Sequence, residues 1–217
     1  MKKLFFLLFA TILFAQNLQL HYDYKKERKY LTSTIEMFKP DEYGSTFFFV
    51  DMDYNNKGDK NISLAYWEIA RYITLPVLDN KLSATVQYND GMTNSFSFDK
   101  VWLFGFSYPV DLGFVTLSTD ILLRNEHNHD LGFQLTTVWY KPFFDNKLVF
   151  TGFVDIWSSK VKDSNKDTKY VFLTEPQIWY NVNNHLAIGG EVEISNNFIF
   201  GKKDVQFFPT IALKWNF

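Results

Sequence analysis

Carboxylates and aromatic rings recur at two-residue spacing through this chain. Phe47, Phe49, Asp51 and Asp53 alternate along one stretch, and Tyr66 and Glu68 along the next. Asp155 and Trp157 follow later, then Glu175, Gln177 and Trp179, with Glu36 preceding the whole set. A carboxylate accepts hydrogen bonds from hydroxyls. An aromatic face stacks on a planar ring, for about 1–3 kcal/mol per base in nucleic-acid sites. Carboxylates gathered in a confined space of low dielectric repel anions. These side chains together suit a neutral ligand with a flat ring and a sugar, and disfavour its phosphorylated form. The spacing of two places the members of each run on one face of a strand, so a sheet has to bring the runs together.

Other chemistries find less support. The chain has no cysteine and four histidines, His21, His127, His129 and His185. A hydrolytic barrel needs a serine and a histidine paired on its outer wall. His21 shares the face of the acids, and His185 falls at a turn. His127 and His129 lie in Asn125-Glu-His-Asn-His-Asp130, a run of ligand-type residues that reads as a solvated loop. There is no phosphate-binding glycine loop and no cysteine motif. The reading is therefore of a protein that is not an enzyme and takes no cofactor or metal.

The elements that must position the acids and rings are strands. Leu82, Ala84, Val86 and Tyr88 alternate with Ser83, Thr85, Gln87 and Asn89. Similar alternation runs through 115–123, 131–136 and 207–217. Twelve segments follow, at 17–24, 28–38, 45–54, 62–73, 81–89, 97–108, 113–124, 130–140, 147–158, 169–181, 185–195 and 206–217. Each is close to the 9–11 residues with which a tilted strand crosses a bilayer. The connections alternate in kind. Short ones carry proline or apolar residues, at 39–44, 75–80, 109–113, 141–146 and 182–184; hydrophilic ones lie at 25–27, 55–61, 90–95, 125–129, 159–168 and 196–205. Two short ones share a wording, Leu75-Pro-Val-Leu-Asp-Asn-Lys-Leu82 and Lys141-Pro-Phe-Phe-Asp-Asn-Lys-Leu148.

Tight turns alternating with longer polar loops form the pattern of an outer-membrane barrel, and an even strand number leaves both termini on the periplasmic side. The aromatic load of 24 Phe, 12 Tyr and 6 Trp in 217 residues suits the girdles of such a barrel. Lys2, Lys3 and the apolar run 4–14 before Ala15 read as a signal peptide, too short to span a bilayer as a helix. The expected organisation is a signal peptide over 1–15 and a closed antiparallel transmembrane β-barrel of about twelve strands over 16–217, in the outer membrane. Removing the two lysines takes the formal charge from −2 to −4, too mild for a nucleic-acid partner. A soluble sandwich or lipocalin-like barrel would share the alternation, but not the two classes of connection.

At this point the residues resemble a family. Tyr30-Leu-Thr-Ser-Thr-Ile-Glu-Met-Phe38, a short turn and Phe47-Phe-Phe-Val-Asp-Met-Asp53 resemble the opening hairpin of the Tsx-type nucleoside-specific outer-membrane channels. Tyr66-Trp-Glu-Ile-Ala-Arg-Tyr72, Thr151-Gly-Phe-Val-Asp-Ile-Trp157, Thr174-Glu-Pro-Gln-Ile-Trp-Tyr180 and Ala212-Leu-Lys-Trp-Asn-Phe217 fit the same plan in order. The resemblance implies a monomeric twelve-stranded barrel in outer-membrane lipid, with the terminal Phe217 addressed to the barrel-assembly machinery. It also implies passive, substrate-selective diffusion of nucleosides past aromatic and ionisable sites. Glu36, Phe49 and Asp51 take the acid and aromatic positions of the opening hairpin, and Tyr66, Glu68 and Arg71 those of the fourth strand. Ala70 stands where a second acid belongs, and no proline precedes Arg71. Arg71 also shares parity with outward Trp67 and Ile69. The competing reading is a structural or adhesion barrel that transports nothing, its interior acids merely paired with Arg124, Lys214 or Arg71.

Overall fold

The computed structural model describes residues 16–217 except 27, 56–60 and 166, so the signal segment expected at 1–15 lies outside the described residues. The strands are β1 (Asn17–Asp23), β2 (Leu31–Asp41), β3 (Gly44–Asp53), β4 (Leu64–Thr74), β5 (Ser83–Thr93), β6 (Val101–Asp111) and β7 (Thr116–Glu126). They continue with β8 (Gly132–Phe143), β9 (Leu148–Ser159), β10 (Lys169–Thr174), β11 (Gln177–Asn181), β12 (Leu186–Asn196) and β13 (Gln206–Asn216). β10 and β11 are halves of one crossing, since both pair with β9 and with β12. The thirteen segments therefore make a wall of twelve antiparallel strands. The wall closes where β1 meets β13, from Asn17 opposite Asn216 to Asp23 opposite Thr210.

The alternation read from the sequence becomes the two faces of this wall. On β7, Ile121 is 67% exposed while its neighbour Leu122 is 1% exposed. Phe104, Phe106, Leu123, Phe133, Leu135, Ile211 and Leu213 join Ile121 on the outside, as a lipid-facing surface requires. Gln19, His21, Gln87, Asp120, Arg124 and Gln134 are buried on the inside. Outward aromatics gather near both rims. Trp67, Tyr88, Trp102 and Phe104 follow one another with centroids 4.7–6.1 Å apart at the end that carries the longer loops. Trp139 with Phe150 and His185 with Trp215 do so at the end with short turns, at 5.5 and 5.4 Å.

The repeated turn wording folds the same way twice. Leu78, Asp79 and Asn80 hold φ of 50°, 57° and 59°, and Phe144, Asp145 and Asn146 hold 52°, 52° and 64°. Aspartate and asparagine tolerate this left-handed region better than most residues. The amide of Lys81 or Lys147 closes each turn on the carbonyl of Leu78 or Phe144.

Several segments depart from the sequence reading. β2 begins at Leu31 rather than 28, because the chain turns between β1 and β2, with the Asp23 amide donating to the Tyr30 carbonyl and the Arg28 amide to the Lys25 carbonyl. β5 runs on to Thr93 and β6 starts only at Val101, because the connection between them folds back, with the Phe98 amide donating to the Gly91 carbonyl at 2.9 Å. The tenth crossing is interrupted at Glu175 and Pro176, where the proline has no amide for the ladder. On the neighbouring strand Gly152 holds φ of +152°, and a Cβ there would stand 2.5 Å from the Glu175 carbonyl oxygen. Replacing Gly152 by Ala is therefore expected to destabilise the barrel by about 1–3 kcal/mol. The temperature at which the unheated gel band loses its compact mobility should fall, and an unchanged transition would remove this glycine from the account.

Candidate functional site

The strand register sets the inward aromatics beside the inward acids. Phe49 on β3 lies opposite Glu36 on one side and Glu68 on the other. Asp51, the next inward residue, lies between Thr34 and Tyr66. Directly opposed side chains in such pairs have Cβ atoms about 4.5–5.5 Å apart. The result is a chequered patch of rings and carboxylates across β2, β3 and β4. The rings form a continuous ladder. Phe47 and Phe49 are 5.9 Å apart, Phe49 and Tyr66 6.0 Å, and Tyr66 meets Phe98 edge-on at 6.0 Å. Phe98 then meets Phe96 at 5.5 Å, carrying the ladder from the wall to the loop at 94–100.

Each acid of the patch has an anchor. Thr34 donates to Asp51 at 2.5 Å and Thr32 to Asp53 at 2.6 Å. Glu68 accepts from Tyr66 at 2.5 Å and from Asn89 at 2.9 Å. Asn17 donates to Glu36 at 3.1 Å. Such anchoring fixes where the carboxylates point and leaves further lone pairs for a ligand. Asn89 Oδ1 and Asp155 Oδ1 are buried and accept from no described group.

The facing wall supplies Asp155, Trp157, Glu175, Gln177 and Glu191. Gln177 donates to Glu191 at 2.9 Å, and Glu191 stands 3.3 Å from His21. Glu191, Glu193, Asp51 and Arg28 lie near enough to Glu175 for their charges to reach it, as do Asp155, Arg124 and Asp51 to Glu68. The acids of the two walls thus converge across the lumen. The cations are few. Arg124 donates to Gln134 at 2.7 Å and to Glu126 at 3.0 Å and lies 4.9 Å from the Trp157 ring centroid. Lys214 covers the Trp179 ring at 3.9 Å.

The inward residues fall into two classes. Glu36, Phe47, Phe49, Asp51, Asp53, Tyr66, Glu68, Asp155, Trp157, Glu175 and Gln177 keep partial exposure. Asn17, Gln19, His21 and Asp23 on β1 are buried and fill the interior instead. Two anticipated lining residues belong elsewhere. Trp179 points inward but is 1% exposed, sealed with Val149, Ala187 and Ala212, and its indole N–H donates to Gln177. Arg71 lies on the outer face, opposite Thr46, and binds Asp41 at the rim through two hydrogen bonds of 2.5 and 2.9 Å. The parity with Trp67 and Ile69 carried that outcome. The sequence reading missed Asn89, Gln87 and Tyr72, whose parity was available, and Phe98, Phe198 and Arg28, which loops carry inward. Phe198 meets Trp157 edge-on at 5.9 Å. At 125–130, His129 lies 3.7 Å from Glu126 and 4.0 Å from Asp99, and no metal-ligating group of three or more is found among the described residues.

The model of a family described as a domain of unknown function (DUF5020) matches residues 15–217. No curated protein matches the sequence. Among solved structures, the NanC porin superposes with a TM-score of 0.60 at 8% identity, over 94% of this chain and 99% of that one. The KdgM porin superposes with a TM-score of 0.52 at 8% identity over the same shares, and has also been solved in complex with disordered oligogalacturonate. At this identity the likeness establishes the fold, a closed barrel of the outer-membrane type.

One group tests the division between filling and lining residues. Tyr72 donates to Asp120 Oδ2 at 2.8 Å, Gln87 donates to the same atom at 2.9 Å, and Asp120 is 2% exposed. Replacing Tyr72 by Phe leaves a buried carboxylate short of a donor, at a cost of about 1–3 kcal/mol. Thermal unfolding in detergent should shift down while conductance stays as before, and the reverse pattern would place Tyr72 in the passage.

Proposed function

The chain belongs to the DUF5020 family, and for it we propose an outer-membrane channel through which nucleosides diffuse passively and selectively. The observation that carries this reading is the ladder of Phe47, Phe49, Tyr66 and Phe98 beside the anchored carboxylates of Glu36, Asp51 and Glu68. A base stacks on the rings while its sugar hydroxyls donate to the acids one strand away. Because the ladder continues into a loop, a solute can pass from ring to ring without losing contact. The names of the two superposed barrels, both porins, support the channel class. The likeness of the opening hairpin to Tsx-type channels supports the nucleoside.

The charge balance argues against the phosphorylated substrate. Glu36, Asp51, Asp53, Glu68, Asp155, Glu175 and Glu191 face the passage, and Arg124 and Lys214 are the strand-borne cations beside them. A phosphate monoester brings roughly −1.5 to −2 charges at neutral pH into that field. Liposome swelling should therefore be much faster with adenosine than with adenosine monophosphate, and equal rates would mean an unselective pore.

Phe49 occupies the centre of the chequered patch. Replacing it by Ala should weaken block of the conductance by adenosine by about one to two decades, the equivalent of losing roughly 1–3 kcal/mol of stacking. If Phe49 only fills space, the substitution lowers heat stability through a cavity and leaves the block unchanged. Recording both quantities on one preparation separates the stacking role from the packing role.

A further inference from the structure

We propose that the loop end of the lumen holds a second site, for a guanidinium or primary ammonium group, built from Asp23, Glu193 and Phe208 and filled by Arg28 as a tethered ligand. The proposal goes beyond the nucleoside reading and rests only on its premise that the barrel conducts. The three site residues sit on adjacent strands, Asp23 at the end of β1, Phe208 on β13 and Glu193 opposite it on β12. Arg28 comes from the loop at 24–30. Its Nη2 donates to Glu193 Oε2 at 2.7 Å, its Nη1 stands 3.5 Å from Asp23 Oδ2, and its Cζ lies 3.5 Å from the Phe208 ring centroid.

The carboxylates are set for a cation by groups other than Arg28. Asp23 Oδ1 accepts from the Lys25 backbone amide at 2.8 Å, which turns Oδ2 toward the site. Glu193 Oε1 accepts from the Ser195 hydroxyl at 3.0 Å, and Ser195 is fully buried, which turns Oε2 the same way. Asp23 is 4% exposed, yet its Oδ2 accepts no hydrogen bond from any described group. A buried carboxylate oxygen without a donor is costly, and an incoming N–H group relieves that cost. The ring of Phe208 adds a face that attracts a cation, and Lys25 Nζ stands 4.1 Å from the same ring. Two carboxylates and one aromatic face make a receptor for a flat or compact organic cation. The receptor is built on strands and its present occupant on a loop, so the occupant is the part that leaves first. A solute cation arriving at this end competes with Arg28 for Glu193 and takes its place beside Asp23 and Phe208.

The test is planar-bilayer conductance with agmatine, which carries a guanidinium and a primary ammonium. Arg28→Gln should lower the agmatine concentration that half-blocks the current by at least tenfold relative to the unaltered barrel. Adding Glu193→Gln to that variant should abolish the gain, while adding Asp130→Asn, an acid at the same end but outside the site, should keep it. Equal block with and without Arg28, or equal loss with either added substitution, overturns the site. Should Arg28→Gln yield no compact band on unheated gels, Glu193→Gln alone serves. It should raise the agmatine concentration that half-blocks the current at least tenfold, and an unchanged block overturns the site. Adenosine applied in parallel reports on the nucleoside reading alone, whatever agmatine does.

Discussion

A peptide group in hydrocarbon has no water to bond, so a sheet that crosses a membrane must satisfy every strand, including the first and the last. In this chain the requirement falls on the seam between β1 and β13, seven residue pairs from Asn17 to Asp23. Once that seam forms, the sheet has no edge, and the sign of each strand follows. The face toward lipid must be apolar, which puts Phe104, Ile121 and Phe133 outside. The other face must accept the polar half of every strand, which puts Gln87, Asp120 and Arg124 inside.

Many polar residues of this twelve-stranded wall are buried inside it. Filling demands partners. Gln87 and Tyr72 hold Asp120, Gln134 and Glu126 hold Arg124, and Gln19 and Thr210 hold His21. Most polar atoms of these sets meet another, which limits the cost of burying them, although Asp120 Oδ1 finds no partner among the described residues. Beside β3 and β4, the inward rings and acids that alternate there keep partial exposure. Trp179 and Phe49 illustrate the split: both point inward, but one is sealed by Val149, Ala187 and Ala212 and the other keeps a face open.

The loops complete the lumen from one end. Phe98 reaches Tyr66, Phe198 reaches Trp157, and Arg28 reaches Glu193. Each brings a contact that the strands alone lack. The short turns at the other end do no such work, and two of them reuse one conformation set by the same Asp-Asn-Lys-Leu wording.

The sequence by itself determined the twelve crossings, their order, the alternation of turns and loops and the face on which each strand residue lies. Parity is a local property, carried by the pleat from one residue to the next, so Phe49, Asp51, Glu68 and Glu175 could be placed inward before any contact was known. The same parity put Arg71 outside with Trp67 and Ile69, and its binding to Asp41 agrees with that rather than with a lining role. Only the tertiary structure decided which inward residues meet. Register across strands set Phe49 between Glu36 and Glu68, and barrel closure buried Trp179 and the inner row of β1. Loops have no period, so nothing in the local pattern foretold that Phe98 and Arg28 would turn into the lumen. Their positions depend on partners more than 30 or 160 residues away in sequence, at Tyr66 and Glu193, which only the closed wall brings within reach.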